Sequence, residues 1–214
     1  MAQNESFDFA GPAGRLEAVL MYPEVPPVAA TVICHANPLE GGMMHFKVVF
    51  RAAKAAQARG LAALRFNFRG VGRSEGVHDQ GRGELDDVRA ALGEMERRFP
   101  GLPLVLGGLS FGSVMALRVG PSDSRVRALF ALGFPLDRVP DLSFLHDGHK
   151  PRLFIQGSDD QFGSGARLLE LVSRIPEPRS GIVIPESDHL FGGRLDELQA
   201  ALEVWLGTRP WEMA

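Results

Sequence analysis

Short apolar runs alternate with amphipathic segments along most of this chain. Residues 29–35 form an apolar, β-branched run of the kind found in fully buried strands. In the segment that follows, residues 44–59, the apolar positions share one helical face and the charged positions take the other. Gly60 is a typical residue to end such a helix. The pattern therefore predicts a buried strand followed by an amphipathic helix.

The same alternation continues to the end of the chain. Further helices are predicted over residues 82–98, 111–119, 164–175 and 194–206. Strands are predicted within residues 62–68, 102–108, 126–133, 151–157 and 180–185, and two more, joined by a Gly-Pro turn, within residues 6–23. Antiparallel strands followed by regular strand-helix alternation predict an α/β fold with a mostly parallel sheet and helices on both faces. We expect a single domain over residues 1–214, because no repeat or low-complexity linker interrupts the pattern.

Composition and charge narrow the classes of function. Apolar residues make up 45% of the chain, charged residues 23%, and the formal net charge is −3 without any block of like charges. This balance argues against a nucleic-acid or membrane partner. The apolar runs are shorter than the roughly 20 residues of a membrane span. With no secretory signal visible and a single cysteine, Cys34, the expected location is the cytoplasm.

One serine lies in a pattern that points to chemistry. Residues 108–112 read Gly-Leu-Ser-Phe-Gly, and they connect a predicted strand to a predicted helix. A sharp strand-to-helix turn crowds the positions two before and two after its centre, which explains the glycines. Such a turn lifts the hydroxyl of Ser110 out of the sheet and sets it at a helix N-terminus. The pattern predicts a nucleophilic serine, with tight helix-sheet packing around an ordinary turn serine as the alternative.

A serine nucleophile needs a general base, and histidine is the usual one. The chain has six histidines: His35, His45, His78, His146, His149 and His189. His189 follows the last predicted strand, and loops after parallel strands open at the same edge of the sheet. We therefore predict His189 as the base of Ser110. His35 also follows a strand, whereas His146 and His149 lie in a polar loop and are expected to be solvated.

An aspartate should orient the histidine. Asp160 comes soon after the strand within residues 151–157 and is the predicted partner. Asp159 is the fallback, more typical of a turn or helix cap, and Asp188 is weaker because it neighbours His189 on a tight loop. The resulting order along the chain is serine, aspartate, histidine.

With these residues the chain resembles the α/β-hydrolase superfamily over nearly its whole length, and more narrowly small, lid-poor bacterial esterase-like hydrolases related to the dienelactone-hydrolase branch. The matching pieces are HANPLEGG (35–42), MHFKVVF (44–50), LRFNFRGVGRSEG (64–76) and GRGELDD (81–87). The resemblance implies the α/β-hydrolase fold with about eight strands. Dienelactone hydrolases carry cysteine where this chain has Ser110, and Ala36, Asn37 and Phe46 replace the proline, histidine and asparagine of the resembled pattern.

The resemblance also implies an oxyanion hole of two backbone N–H groups. One donor would be Phe111, directly after the nucleophile, and the other would come from the loop after His35. Pro38 has no N–H, so Asn37 or Leu39 must supply it, and Asn37 is favoured. Arg69 is expected to brace neighbouring loops through hydrogen bonds.

The segment 136–150 is too short for the helical lid domain of long-chain lipases. We therefore expect no large lid and a shallow substrate pocket lined by Leu39, Met43, Phe111, Phe134, Phe162 and Leu190. Such a site suits a carboxylesterase that cleaves short-chain, small-molecule esters without metal or organic cofactor. A peptidase or thioesterase on the same triad, and a non-catalytic binding protein of this fold, are the alternatives. The oligomeric state stays open between monomer and homodimer.

Overall fold

The computed structural model describes residues 4–213, and a sheet of eight strands forms its centre. The strands are β1 (Asn4–Gly11), β2 (Gly14–Met21), β3 (Ala29–Cys34), β4 (Leu61–Phe66), β5 (Leu104–Leu109), β6 (Val126–Leu132), β7 (Arg152–Gly157) and β8 (Arg179–Ile184). Their order across the sheet is β1-β2-β4-β3-β5-β6-β7-β8. The pairs β1–β2 and β2–β4 are antiparallel, and every later pair is parallel. The predicted mostly parallel α/β sheet is confirmed.

Within residues 4–213, five α-helices lie close to the predicted positions. They are α1 (Lys47–Ala58), α2 (Gly83–Arg98), α3 (Phe111–Val119), α4 (Gly165–Arg174) and α5 (Leu195–Gly207). The largest difference is at α1, which was expected to begin at residue 44. The backbone of Met44 is held by β4 and the loop after it, since its N–H donates to Asn67 Oδ1 and its carbonyl accepts from Arg65 Nη1. These bonds keep Met44 outside the helix.

Two apolar cores lie on opposite faces of the sheet. Helices α1 and α5 cover one face, and α2, α3 and α4 cover the other. On α4 the buried apolar side chains are Leu168 and Val172, whereas Leu169 is 42% exposed. Positions 168 and 172 are four residues apart and so lie on the same side of the helix, whereas position 169 lies about 100° around the axis from 168.

The connection between β6 and β7 is compact. It contains two short 3₁₀ helices, Leu136–Arg138 and Ser143–His146, and no lid domain. The buried Arg152 of β7 fixes the second half of this connection by donating to the carbonyl oxygens of Leu145, Asp147 and Gly148. Within residues 4–213, no helix has the length and apolar character that crossing a membrane would require.

The topology brings distant parts of the sequence to one edge of the sheet. Strands β3, β5, β6, β7 and β8 are parallel, so the loops that follow them share the edge at their carboxyl ends. These are the loops that begin after Cys34, Leu109, Leu132, Gly157 and Ile184. The residues singled out from the sequence as catalytic all lie in them.

Candidate active site

The turn between β5 and α3 has a strained centre. Ser110 has φ 54° and ψ −119°, a region that residues other than glycine rarely occupy. Its N–H donates to the carbonyl oxygen of Leu132 at 2.9 Å, and its own carbonyl accepts from Ser113 Oγ at 2.6 Å. The side chain therefore projects from the tip of the turn at the start of α3.

The two glycines around Ser110 permit close backbone contacts. A Cβ atom added at Gly112 would lie 2.4 Å from the carbonyl oxygen of Cys34 and 2.5 Å from that of His35. One added at Gly108 would lie 2.5 Å from the carbonyl carbon of Gly112. Real side chains do not tolerate such distances, so the turn requires glycine at both positions.

The structure brings the three predicted side chains into one hydrogen-bonded line. His189 Nε2 lies 2.8 Å from Ser110 Oγ, and His189 Nδ1 lies 2.8 Å from Asp160 Oδ2. This geometry fits the neutral tautomer in which Nδ1–H donates to the carboxylate and Nε2 accepts from the hydroxyl. All three residues are buried. Gly133 makes room for the histidine, because a Cβ there would lie 2.9 Å from the carbonyl oxygen of His189.

Asp160 has further donors that fix its carboxylate. Gln156 Nε2 donates to Oδ2 at 2.8 Å, and the N–H of Phe162 donates to Oδ1 at 2.8 Å. Gln156 also accepts from the N–H of Phe134 and is fully buried in β7. Sequence reasoning did not identify Gln156, although it is a polar side chain that directly follows the apolar residues 153–155 near the end of β7.

The alternative aspartates point elsewhere. Asp159 is exposed. The carboxylate of Asp188 accepts from the N–H groups of Leu190 and Gly192, at 3.0 and 2.8 Å, and so closes its own loop.

His35 has both ring nitrogens occupied by backbone groups. Nδ1 lies 2.7 Å from the carbonyl oxygen of Ala36, and Nε2 accepts from the N–H of Phe68 at 3.0 Å. Burial lowers the pKa of His35 to about 4, so the ring is neutral near pH 7. The ring ties the loop after β3 to the loop after β4 and has no free nitrogen for a proton transfer.

The remaining histidines lie apart from this line. His78 Nδ1 is 3.0 Å from the buried carboxylate of Glu84. His45, His146 and His149 are exposed, in agreement with the solvated loop expected for the last two.

Phe111 and Asn37 line the same cavity as Ser110, and within residues 4–213 no hydrogen bond from either backbone N–H is found. Phe111 is the first residue of α3, where the N–H has no carbonyl acceptor in its own helix. The N–H of Asn37 makes no backbone hydrogen bond to the described residues. The rival donor, Leu39, is occupied, because its N–H donates to Asn37 Oδ1 at 3.1 Å.

A cavity of about 340 Å³ opens beside Ser110. Its wall comes from Asn37, from the loop before α2 and the first turn of that helix, from Ser110 and one face of α3, and from the segment after β6. The lining residues are Asn37, Gln80, Gly81, Arg82, Leu85, Ser110, Phe111, Val114, Met115, Arg118, Pro135, Arg138, Val139 and Pro140.

Of the six residues predicted to line the pocket, Phe111 belongs to the wall of this cavity and the other five do not. Phe134 is fully buried beneath the site, and Phe162 packs edge-on against the ring of His189 with centroids 4.6 Å apart. The exposed residues Leu39, Met43 and Leu190 lie outside the wall. Apolar character alone does not distinguish a residue under the site from one that lines it.

The predicted bracing role of Arg69 is confirmed, and Cys34 has a structural place next to the site. Arg69 braces its neighbours through the carboxylate of Asp87, at 2.7 Å from Nη2, and the carbonyl oxygen of Gly83, at 2.6 Å. Cys34 is completely buried in the core, where desolvation raises the pKa of its thiol. Cys34 is thus a packing residue beneath the site.

Comparison with known proteins gives matches over most of the chain. A family model described as an alpha/beta hydrolase domain matches residues 31–204. An uncharacterized protein of Rickettsia prowazekii (strain Madrid E) is 32% identical over 94% of this chain and 87% of its own length.

Solved structures give the same result. An alpha-beta serine hydrolase homologue from Coxiella burnetii is 34% identical, with a TM-score of 0.89 over 94% of this chain and 97% of its own. A serine hydrolase without a lid from Xanthomonas campestris is 31% identical, with a TM-score of 0.88 over 98% of this chain and 95% of its own. The expected resemblance to lid-less hydrolases is confirmed.

Proposed function

This chain belongs to the alpha/beta hydrolase family, and on that premise we propose that it is a serine carboxylesterase acting on short-chain carboxylic esters. The observation that carries the proposal is the line from Ser110 Oγ to His189 to Asp160, with 2.8 Å at each step. A hydroxyl becomes a competent nucleophile when an oriented imidazole can take its proton. The serine hydrolases among the similar structures support the same reaction class.

In the first half-reaction, Ser110 Oγ attacks the ester carbonyl carbon while its proton passes to His189 Nε2. The carboxylate of Asp160 stabilises the imidazolium through Nδ1–H. The N–H groups of Phe111 and Asn37 donate hydrogen bonds to the carbonyl oxygen and stabilise the negative charge that develops on it. The bond to the alcohol oxygen then breaks, the proton moves from Nε2 to that oxygen, and an acyl-enzyme remains.

In the second half-reaction, water replaces the alcohol. It attacks the acyl carbon as His189 Nε2 takes one of its protons, and the same two N–H groups hold the oxyanion. The bond to Ser110 Oγ then breaks and the serine regains its proton from Nε2. The products are the carboxylic acid and the free enzyme, so every atom and proton is accounted for by ester, water and protein.

Turnover of a p-nitrophenyl butyrate substrate by purified variants tests this assignment. We expect Ser110→Ala and His189→Ala to lower kcat by about 10⁴-fold. Asp160→Asn should lower kcat by somewhat less, because it disturbs the tautomer of the His189 ring but removes neither the nucleophile nor the base. Asp159→Asn is the matched control, since this exposed neighbour makes no contact with His189, and it should retain wild-type kcat. Loss of turnover in His35→Gln with full turnover in His189→Ala would contradict the choice of base.

A further inference from the structure

The wall of the cavity at Ser110 carries a charge of one sign. Arg82, Arg118 and Arg138 contribute guanidinium groups, and no carboxylate belongs to the lining formed by the described residues. The other lining side chains are mostly apolar. A cavity with apolar walls and cationic groups at its rim favours a ligand with an apolar body and an anionic end.

One face of α3 connects the nucleophile to a cation. Phe111, Val114, Met115 and Arg118 all line the cavity, and their spacing places them on a single helical stripe. The stripe begins next to Ser110 and is apolar up to Arg118, about 10 Å farther along the axis. Helical side chains lean toward the N-terminus, so the Arg118 side chain leans back toward the nucleophile.

The three arginines differ in how far they are already neutralised. Arg82 pairs with Asp79 at 3.0 Å, and Arg138 pairs with Glu40. Arg118 has no carboxylate within 4.0 Å among the described residues, and its guanidinium lies over the ring of Phe144, 4.8 Å from the centroid. Asp141 is the acid that faces it, and that carboxylate accepts from the N–H of Ser143.

The position of the cavity relative to Ser110 and His189 determines whether the acyl half or the alcohol half of an ester binds in the cavity. The alcohol oxygen must lie beside His189 Nε2 to take its proton. His189 does not belong to the wall, whereas Ser110 and the two oxyanion donors do. This lining favours the acyl side of the scissile bond as the part of the ester that the cavity receives.

We propose that the preferred substrate is an ester whose acyl chain ends in a carboxylate, that is, a half-ester of a dicarboxylic acid. The methylenes lie along the apolar stripe of α3 and Arg118 binds the free carboxylate, with charge-assisted hydrogen bonds from its guanidinium. This inference rests on the proposed esterase function, because it places the acyl group relative to Ser110. It adds a specificity residue, Arg118.

The test compares two chain-matched esters, mono-p-nitrophenyl adipate and p-nitrophenyl hexanoate, which differ in the terminal carboxylate. The readout is the ratio of kcat/KM for the acidic ester to that for the neutral ester. We expect the wild-type ratio to exceed unity, and Arg118→Met to lower it about tenfold. Arg118→Lys should retain part of the preference for the acidic ester, since lysine keeps the positive charge but cannot bind the carboxylate with two parallel hydrogen bonds.

Arg174→Met is the matched control, because this exposed arginine on α4 pairs with Glu170 and lies outside the cavity. Its ratio should equal that of the wild type. Added salt should lower the wild-type ratio and leave that of Arg118→Met unchanged, since an exposed pair is screened.

Two failures can be told apart. Hydrolysis of the hexanoate with a ratio at or below unity, insensitive to Arg118→Met, overturns the substrate proposal and leaves the esterase function intact. Absence of hydrolysis of both esters, together with no reaction of Ser110 with a fluorophosphonate, overturns both.

Discussion

At the scale of single residues, Ser110 depends on neighbours that have no side chain. Its positive φ costs about 1–3 kcal/mol, which the surrounding contacts must offset. The approach of Gly112 to the carbonyl oxygens of Cys34 and His35 holds the start of α3 against the end of β3. The nucleophile and the loop that carries Asn37 are thereby fixed relative to each other.

Gly112→Ala should therefore destabilise the protein. The added methyl would lie 2.4 Å from a backbone oxygen that cannot move freely, and overpacking of this kind costs about 1–3 kcal/mol. Gly93→Ala is the matched control within α2, where the new Cβ would meet only the flexible end of Arg125 at 3.5 Å. That change should stabilise by about 0.5–1 kcal/mol. Urea unfolding that gave the same sign for both variants would contradict this account.

The buried His35 should make stability depend on pH. Its pKa is about 4 in the folded protein and near 6.5 in the unfolded chain, because burial disfavours the charged ring. The unfolded chain then binds one more proton between these values, so stability is lost as pH falls from 6.5 to 4. The shift corresponds to about 3 kcal/mol in total.

His35→Gln removes this titration while keeping a donor and an acceptor. Unfolding free energies measured by urea at several pH values should fall less steeply below pH 6.5 in this variant than in the wild type. His149→Gln, a change at an exposed histidine, should follow the wild-type slope. Equal slopes for all three proteins would mean that His35 titrates normally.

At the scale of elements, apolar periodicity predicts the helices and strands well, because each packs one or both faces against a core. It predicts α2, α4 and α5 to within one residue at each end. It does not predict the start of α1, where the Met44 N–H donates to Asn67 Oδ1 and the Met44 carbonyl oxygen accepts from Arg65. It also misses the 3₁₀ helices, including Pro38–Glu40, because such turns bury no repeating face.

The buried ion pair between α2 and the loop after β4 should matter more than exposed pairs. The Asp87 side chain is 0% exposed and that of Arg69 is 11% exposed, with 2.7 Å between Oδ1 and Nη2. Asp87→Ala leaves a buried cation without its partner, and we expect a loss of about 3 kcal/mol or more in unfolding free energy. Asp86→Ala, which breaks the neighbouring exposed pair with Arg89, should cost less than about 1 kcal/mol. Similar losses for both variants would contradict a bracing role for Arg69.

At the scale of the whole molecule, the catalytic candidates could be predicted because a local pattern indicates Ser110 and the topology collects its partners. Loops after parallel strands share one edge, so the position of His189 and Asp160 after strands, together with their residue type, pairs them with Ser110. The cavity wall could not be predicted in this way. Which side of a loop faces a cavity depends on its side-chain packing, and Gln80, Arg82 and Arg138 come from connections without a repeating pattern.

The absence of a lid between β6 and β7 and the small volume of the cavity limit the acyl chain. A long alkyl chain would leave the cavity and stay in water, so extra methylenes would add no binding. We expect p-nitrophenyl acetate to butyrate to be turned over fastest, with kcat/KM for the dodecanoate lower by more than about tenfold. A maximum at the dodecanoate would contradict this limit. The series keeps one leaving group, so only the acyl chain varies.

The central claim is that Ser110 is a nucleophile activated by His189. A fluorophosphonate tests it directly, because an activated serine displaces fluoride and keeps the phosphonyl group. Intact-mass and peptide analysis should find a single adduct, on Ser110, with none on Ser110→Ala and much slower labelling of His189→Ala. An unlabelled wild-type protein, or an adduct that persists in Ser110→Ala, would contradict the claim.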